Sequence, residues 1–500
     1  MITAAKTFAF ERKTLLVFLL AGGVSLFAGA AISIFSRISY SYLMLAELSL
    51  FIALIVAFLK QAKRFLIGLM IITIPINVDK SLLHVGNHIG GVPGLVVSVW
   101  SLLLFSLYII WIGEYLLGSK KKIHSFPIVS AAVGFLVLFS ILSMAKSISI
   151  KLSVFQLVEL IKVIMLMFYI ANNVDTEKDY KFIIYTLFAA MLLEISLGYY
   201  QHTVNQYVDL GIFADGKARK ARELGSQTLI GVTGTFFGDG PFADYLLLML
   251  FLVMGSIISK GKIYQKVLFF GLFGGGLPLL IFTFSRGAWL GFVCALGFFV
   301  IVKLIVNDRR STAILFFLLI AIAGLVILYS YQDIIFHRVY GDDRGSAQSR
   351  LPMMRVAFEI LKANPLLGVG LNNYTTAMAQ YDPTGLSYIW HQPVHNVFMQ
   401  LAAEIGIPGI SAFILLILAL FGYAIITMRR AKEFYKNQLI GLLAGLLGLF
   451  IHGMVNNATI VTSPYLMFWL WGGLILSIAK INQQNSALKN NPGELNAGQE

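Results

Sequence analysis

The sequence predicts an all-α polytopic membrane protein. Three observations carry that reading. Only 12% of its 500 residues are charged, and the mean hydropathy is +0.81. Apolar runs of about 18 residues or more recur along the whole chain, long enough for helices that cross a bilayer. Basic residues also alternate between crowded and sparse loops, as the orientation of membrane helices demands. The net charge of +14 is therefore read as a topology signal and not as a sign of nucleic-acid binding. The lone cysteine, Cys294, lies in an apolar run and is expected to be a small buried residue; it cannot make an internal disulfide or a metal cluster.

Taken in order, spans are expected near 15–35, 42–59, 65–77, 92–117, 127–145, 152–172, 180–200, 241–259, 267–284, 288–305, 312–330, 410–428, 437–456 and 464–479, which gives 12–14 transmembrane helices. The first follows Lys6, Arg12 and Lys13, and Ala28-Gly29-Ala30 mimics a cleavage site. Its length and the spans behind it make it an uncleaved first helix. The run 152–172 carries Glu159 and Lys162, three apart on one helical face, so they are expected to pair inside the bundle.

With the N-terminus in the cytoplasm, the cytoplasmic loops hold clusters such as Lys120–Lys122 and Arg429, Arg430, Lys432 and Lys436. The short outer loops hold only Arg37, Lys80, Lys146, Lys151 and Arg286. Both termini are thus expected inside the cell. Two outer segments, about 201–240 and 331–409, are too long to be simple connectors and are expected to fold, with short interfacial helices. Residues 1–480 read as one integral membrane domain, and 481–500 as a polar, disordered cytoplasmic tail.

The candidate chemistry gathers on the outer side. Lys217, Arg219, Lys220 and Arg222 form a basic cluster that reads as a phosphate site or as a solvated face against lipid headgroups. In "TFSRGAWLG" a tight turn puts Arg286 at the membrane surface. Its planar guanidinium suits phosphate oxygens, with a snorkelling or capping role as the alternative. Arg350 and Arg355 belong to a helix that starts near Leu351 and ends at Asn364-Pro365. The "GVGLNNY" behind it has no strand before it and reads as a tight turn, not as a nucleotide loop.

In "PVHNVFMQLAAEIGIPG", Asn396 is placed to cap a short helix over 397–405. Phe398, Leu401, Ala402 and Ile405 would form its apolar face, and Gln400 and Glu404 its polar side. Gly406 stops it and Pro408 forbids its return. His395 stands at the positive end of that helix, which disfavours the imidazolium, so the ring is expected neutral and fit to be a general base. A structural hydrogen bond is its alternative role. His391 lies four residues earlier and would share a helical face but for Pro393.

No Asp-x-Asp, Walker motif, Gly-x-Ser-x-Gly or histidine metal cluster is present. An outer-face enzyme must receive its substrate already activated, and a lipid-linked diphosphate fits.

The chain resembles the bacterial O-antigen ligase and polymerase superfamily. The resemblance rests on His395-Asn396, nine residues, then Gly406-x-x-Gly409, together with "SRGAWLG", "NPLLGVGLNNY" and "GTFFGDGPFADYL", over roughly residues 200–460. It implies a GT-C-type membrane glycosyltransferase that moves a glycan from undecaprenyl diphosphate to an acceptor hydroxyl, with no metal or other cofactor. The acceptor is lipid A-core for a ligase, or another lipid-linked glycan of an O-antigen or exopolysaccharide for a polymerase. His395 would be the base and Arg286 would hold the diphosphate, with Lys217, Arg219, Lys220, Arg222, Arg350, Arg355, His391 and Asn396 lining the substrate. Where the family often has an arginine three residues before the Gly-Thr-Phe glycine, this chain has Gly231. Either Arg222 or Lys220 replaces it, or the phosphate site is built differently. The rival class is a lipid-linked glycan flippase or other polysaccharide transporter.

Overall fold

The computed structural model describes residues 62–76, 79–86, 88–118, 123–207, 222–224, 227–306, 324–326, 329–340, 348–383, 385, 387, 391–456, 459–462 and 465–490. The spans expected at 15–35 and 42–59 lie outside the described residues, as does the one at 312–330 apart from 324–326, 329 and 330, which are helical. Among the described ones, ten helices are long and apolar enough to cross a membrane.

The chain divides into two compact units. One contains α1 (Ala62–Thr73) and α2 (Val99–Leu116), which pack on each other and are tied by Lys63 and Glu114. The described part of α1 is 12 residues long.

The other unit takes in 75–96 and everything from His124 onward. Its long helices are α3 (Pro127–Ser143), α4 (Ile150–Asn173), α5 (Glu177–Val204), α6 (Asp239–Ile257), α7 (Ile263–Phe282) and α8 (Arg286–Val306). Beyond them come α9 (Gln332–Tyr340), α10 (Arg350–Ala363), the single turn α11 (Tyr374–Ala377), α12 (Val397–Met428), α13 (Glu433–Gly453) and α14 (Tyr465–Asn490). Strands are minor: β1 (Asp79–Leu82), β2 (Leu95–Ser98), and the antiparallel pair β3 (Arg222–Leu224) and β4 (Gln227–Leu229). The first outer segment therefore contains a small hairpin, where short helices were expected.

The sequence sets these boundaries locally. Thr176 caps α5 by accepting from the Asp179 amide. Pro127 opens α3, where its missing N–H costs nothing. α6 is apolar all round apart from Asp244 and its first turn, and such a helix belongs inside. α13 lies against both α6 and α8. Gly445 lets it approach the Leu248 backbone, and Gly448 and Gly291 leave no side chain between α13 and α8. Glu159 and Lys162 do pair, at 2.6 Å, and Lys162 also donates to the Val96 carbonyl.

Two expectations change. Cys294 sits on the exposed face of α8, because the buried stripe of that helix runs through Ala288, Gly291, Phe292 and Ala295. α14 continues to Asn490, so residues 481–490 are helical where a disordered tail was expected; 491–500 lie outside the described residues.

Candidate active site at one end of the helix bundle

The stretch around His395 is built as its residues dictate. The Asn396 side chain accepts from the Met399 amide at 3.0 Å and starts α12. The helix breaks at Gly406, whose backbone (φ 73°, ψ 179°) is non-helical, and resumes with Pro408 in its new first turn. Residues 364–373 close over the break. The Ile407 amide donates to the Pro365 carbonyl, the Val369 amide to the Ala403 carbonyl and the Gly370 amide to the Glu404 carbonyl. Two of these bonds satisfy carbonyls at the end of the first helical half, and the third satisfies an amide at the start of the second. Residues 364–373 are thus a tight turn, as expected, and they serve as the cap of another helix.

Gln400 and Glu404 do not form a solvated side. They are 3% and 2% exposed, because the segment 88–92 covers them. Gln400 donates to the Gly90 carbonyl at 2.7 Å and to Glu404, while Glu404 accepts from the Asn372 amide at 3.0 Å. Asn372 is the hub of this network. Its amide nitrogen donates to the Val92 and Leu152 carbonyls, and its oxygen meets His88 Nε2 at 2.8 Å. It also holds a left-handed backbone, φ 61°, which asparagine tolerates better than other side-chain-bearing residues. Asn372→Ala is expected to lower stability by about 3 kcal/mol or more, since buried carbonyls lose their donors. Thermal unfolding in detergent reads this directly.

His395 lies above that network. Its Nδ1 is buried and makes no hydrogen bond. Burial lowers the pKa of the ring from its ordinary value, the Arg350 charge lowers it further, and the Pro393 carbonyl opposes them least. The expected neutral histidine is supported, with burial and a neighbouring guanidinium as the causes. Arg350 opens α10, while Arg355 is exposed on it. His391 is exposed on non-helical chain, so no helical face is shared with His395. Its charge acts instead on His88, whose pKa is lowered first by burial.

Arg286 stands at a second corner, where α7 ends and α8 begins. Phe284 turns the chain with a left-handed backbone, φ 54°. Arg338 of α9 donates from Nε to the Phe284 carbonyl at 2.9 Å. Sequence reading missed Arg338. It also missed a chain of three side chains behind the corner: Ser285 Oγ lies 2.9 Å from His452 Nε2, and His452 Nδ1 lies 2.6 Å from Asp244 Oδ1. The available signal was a charge or histidine inside an apolar run, which usually marks function.

The two corners meet the same end of α13. A Cβ on Gly453, the neighbour of His452, would run into the Tyr465 hydroxyl, with Val397 Cγ2 3.6 Å away, and Val397 is two residues from His395. The Ser285–Arg286 turn is thereby linked to the His395 turn through consecutive residues of one helix.

Lys217, Arg219 and Lys220 lie outside the described residues, and Arg222 is described only as backbone of β3, opposite Leu229. At Gly231 a Cβ would stand 2.8 Å from Asp239 Oδ2 and 3.3 Å from the Thr283 carbonyl. No side chain fits there without displacing Asp239.

Residues 270–414 match the family described as O-antigen ligase. The match falls inside the part of the chain that resembles the O-antigen ligase and polymerase superfamily, and it supports that resemblance. No curated protein matches it at a significant level. The O-antigen ligase match takes in Ser285, Arg286, Arg338, Arg350, Asn372, His395 and the Gly406 break, while Asp244 and His452 fall outside it. The function of this superfamily, in general terms, is to join a lipid-linked glycan to a glycan acceptor.

Proposed function

We propose that this protein transfers a glycan from undecaprenyl diphosphate to an acceptor hydroxyl at the outer face of the cytoplasmic membrane, as an O-antigen ligase or a polymerase. The observation that carries the reading is a base-competent histidine at the bundle end that also presents Arg286. Burial and Arg350 keep His395 neutral, so it can take the acceptor proton. Arg286, with Arg338 at the same corner and Arg350 beside His395, would stabilise the charge that grows on the departing diphosphate. Direct attack by the acceptor oxygen inverts the anomeric carbon: the new C–O bond forms as the bond to the diphosphate breaks, and the proton passes to His395. Fixed guanidinium groups supply the charge that a metal would otherwise bring. The donor lipid stays in the outer leaflet, and both chain termini lie in the cytoplasm.

The test is a purified-protein assay in liposomes with a lipid-diphosphate glycan and an acceptor. Free undecaprenyl diphosphate together with glycosylated acceptor is the expected result. Movement of intact donor between leaflets, with no bond broken, would make the protein a flippase.

A further inference from the structure

The Asp244–His452–Ser285 chain lies outside what the family match explains. Asp244 is fully buried and His452 is 3% exposed. Three helices contribute to it: Asp244 comes from α6, His452 from the last turn of α13, and Ser285 from the corner before α8. Asn456 adds a second donor to Asp244, at 3.3 Å from Oδ2. The approach is deliberate in shape. A Cβ on Gly287 would stand 2.8 Å from His452 Cδ2, so only glycine lets the ring reach Ser285.

A hydroxyl, an imidazole and a carboxylate in this order have two states. With Nδ1–H given to Asp244, a neutral ring accepts the Ser285 proton at Nε2, and the hydroxyl has none left for a ligand. A charged ring donates from Nε2 to Ser285 Oγ, and the Ser285 hydrogen turns outward. Arg286 follows Ser285 at the start of α8, and Arg338 donates to the carbonyl of Phe284 just before it. Those neighbours suit an anion with several oxygens.

We propose that Ser285, His452 and Asp244 form a proton-coupled latch for a diphosphate beside Arg286. Binding draws one proton from solvent onto His452, Nε2–H then donates to Ser285 Oγ, and Ser285 donates its own hydrogen to a phosphate oxygen. Ser285 is the binding residue; His452 and Asp244 are positioning residues. Tyr465, fully buried on α14, faces Asp244, and Arg286 and Arg338 belong to the Ser285 corner. The identity of the ligand rests on the transfer reaction proposed above; the latch itself does not.

The test is calorimetric binding of inorganic pyrophosphate to the full chain in detergent, at one pH, in two buffers of different ionisation enthalpy. Wild type is expected to take up more protons on binding than His452→Gln does, because the ligand's own titration is common to both. Ser285→Ala is expected to bind about tenfold more weakly. Asp244→Asn, which keeps the shape, is expected to lose the extra uptake and serves if His452→Gln does not fold. Equal proton uptake in wild type and both variants, unchanged affinity in Ser285→Ala, or no pyrophosphate binding by wild type would overturn the latch. Covalent labelling of Ser285 by a fluorophosphonate would also overturn it, making the serine a nucleophile. If the latch results hold while the transfer assay fails, the anion site stands and the transfer reaction falls.

Discussion

Glycan transfer by His395→Ala is expected to fall by about a thousandfold, the loss that follows when a positioned general base is removed. The fold is expected to survive, for reasons visible in the site. Nδ1 makes no hydrogen bond, so the change takes a partner only from the Pro393 carbonyl. The helix start depends on Asn396, which keeps its bond to the Met399 amide. The apolar floor below, Met353, Val356, Ile360, Tyr374 and Val394, does not include the ring. The measurement is transfer rate per folded protein, with thermal unfolding as the control. A near wild-type rate would remove His395 from the reaction.

The pH dependence has a definite sign. The folded-state pKa of His395 lies below its ordinary value of 6.5, through burial first and the Arg350 charge second. Only the neutral ring accepts a proton, so kcat/KM is flat above that depressed pKa and falls as pH drops through it. Arg350→Gln removes one of the two lowering causes. The acid limb is then expected to move to higher pH, although the guanidinium is also lost to the donor. A profile in which the limb stays put would separate Arg350 from the base.

The legible parts of this site were those written in consecutive residues. Asn396, Gly406 and Pro408 set the start, break and restart of α12 because capping and backbone freedom act within one turn. Asn364 ends α10 for the same reason. Gln400 and Glu404 were read as a polar face, since their spacing says which residues align but not what covers them. The cover comes from Gly90, some 310 residues away in sequence. The Ser285–His452 contact is likewise separated by 167 residues and the His452–Asp244 contact by 208. Asp244 and His452 each sit in an apolar helix and Ser285 in a turn, and periodicity carries no information on which helices adjoin.

Gly406→Ala is the second large effect. The wild-type backbone, φ 73° and ψ 179°, lies in a region open essentially to glycine alone. Forcing another residue there costs about 1–3 kcal/mol in backbone strain. Space is the stronger objection, because a Cβ would stand 2.4 Å from both the carbonyl carbon and the oxygen of Leu366. Backbone atoms cannot rotate aside as a side chain does, so the loop 364–373 must lift from the helix break. The Ile407–Pro365 and Val369–Ala403 bonds then weaken, and the cover over Glu404 loosens with them. His395 is one short helix away from this hinge. A displacement of about 1 Å is enough to lower transfer by roughly a hundredfold. Gly368→Ala meets the same obstacle from the other side: φ is 64°, and its Cβ would lie 2.4 Å from the Ala403 carbonyl oxygen. The contrast is Gly422→Ala in the same helix, where nothing lies within 4 Å. That variant is expected to keep full activity, since alanine favours a helix interior over glycine. Comparable losses in all three variants would show that glycine content, and not the closure over the break, governs the site.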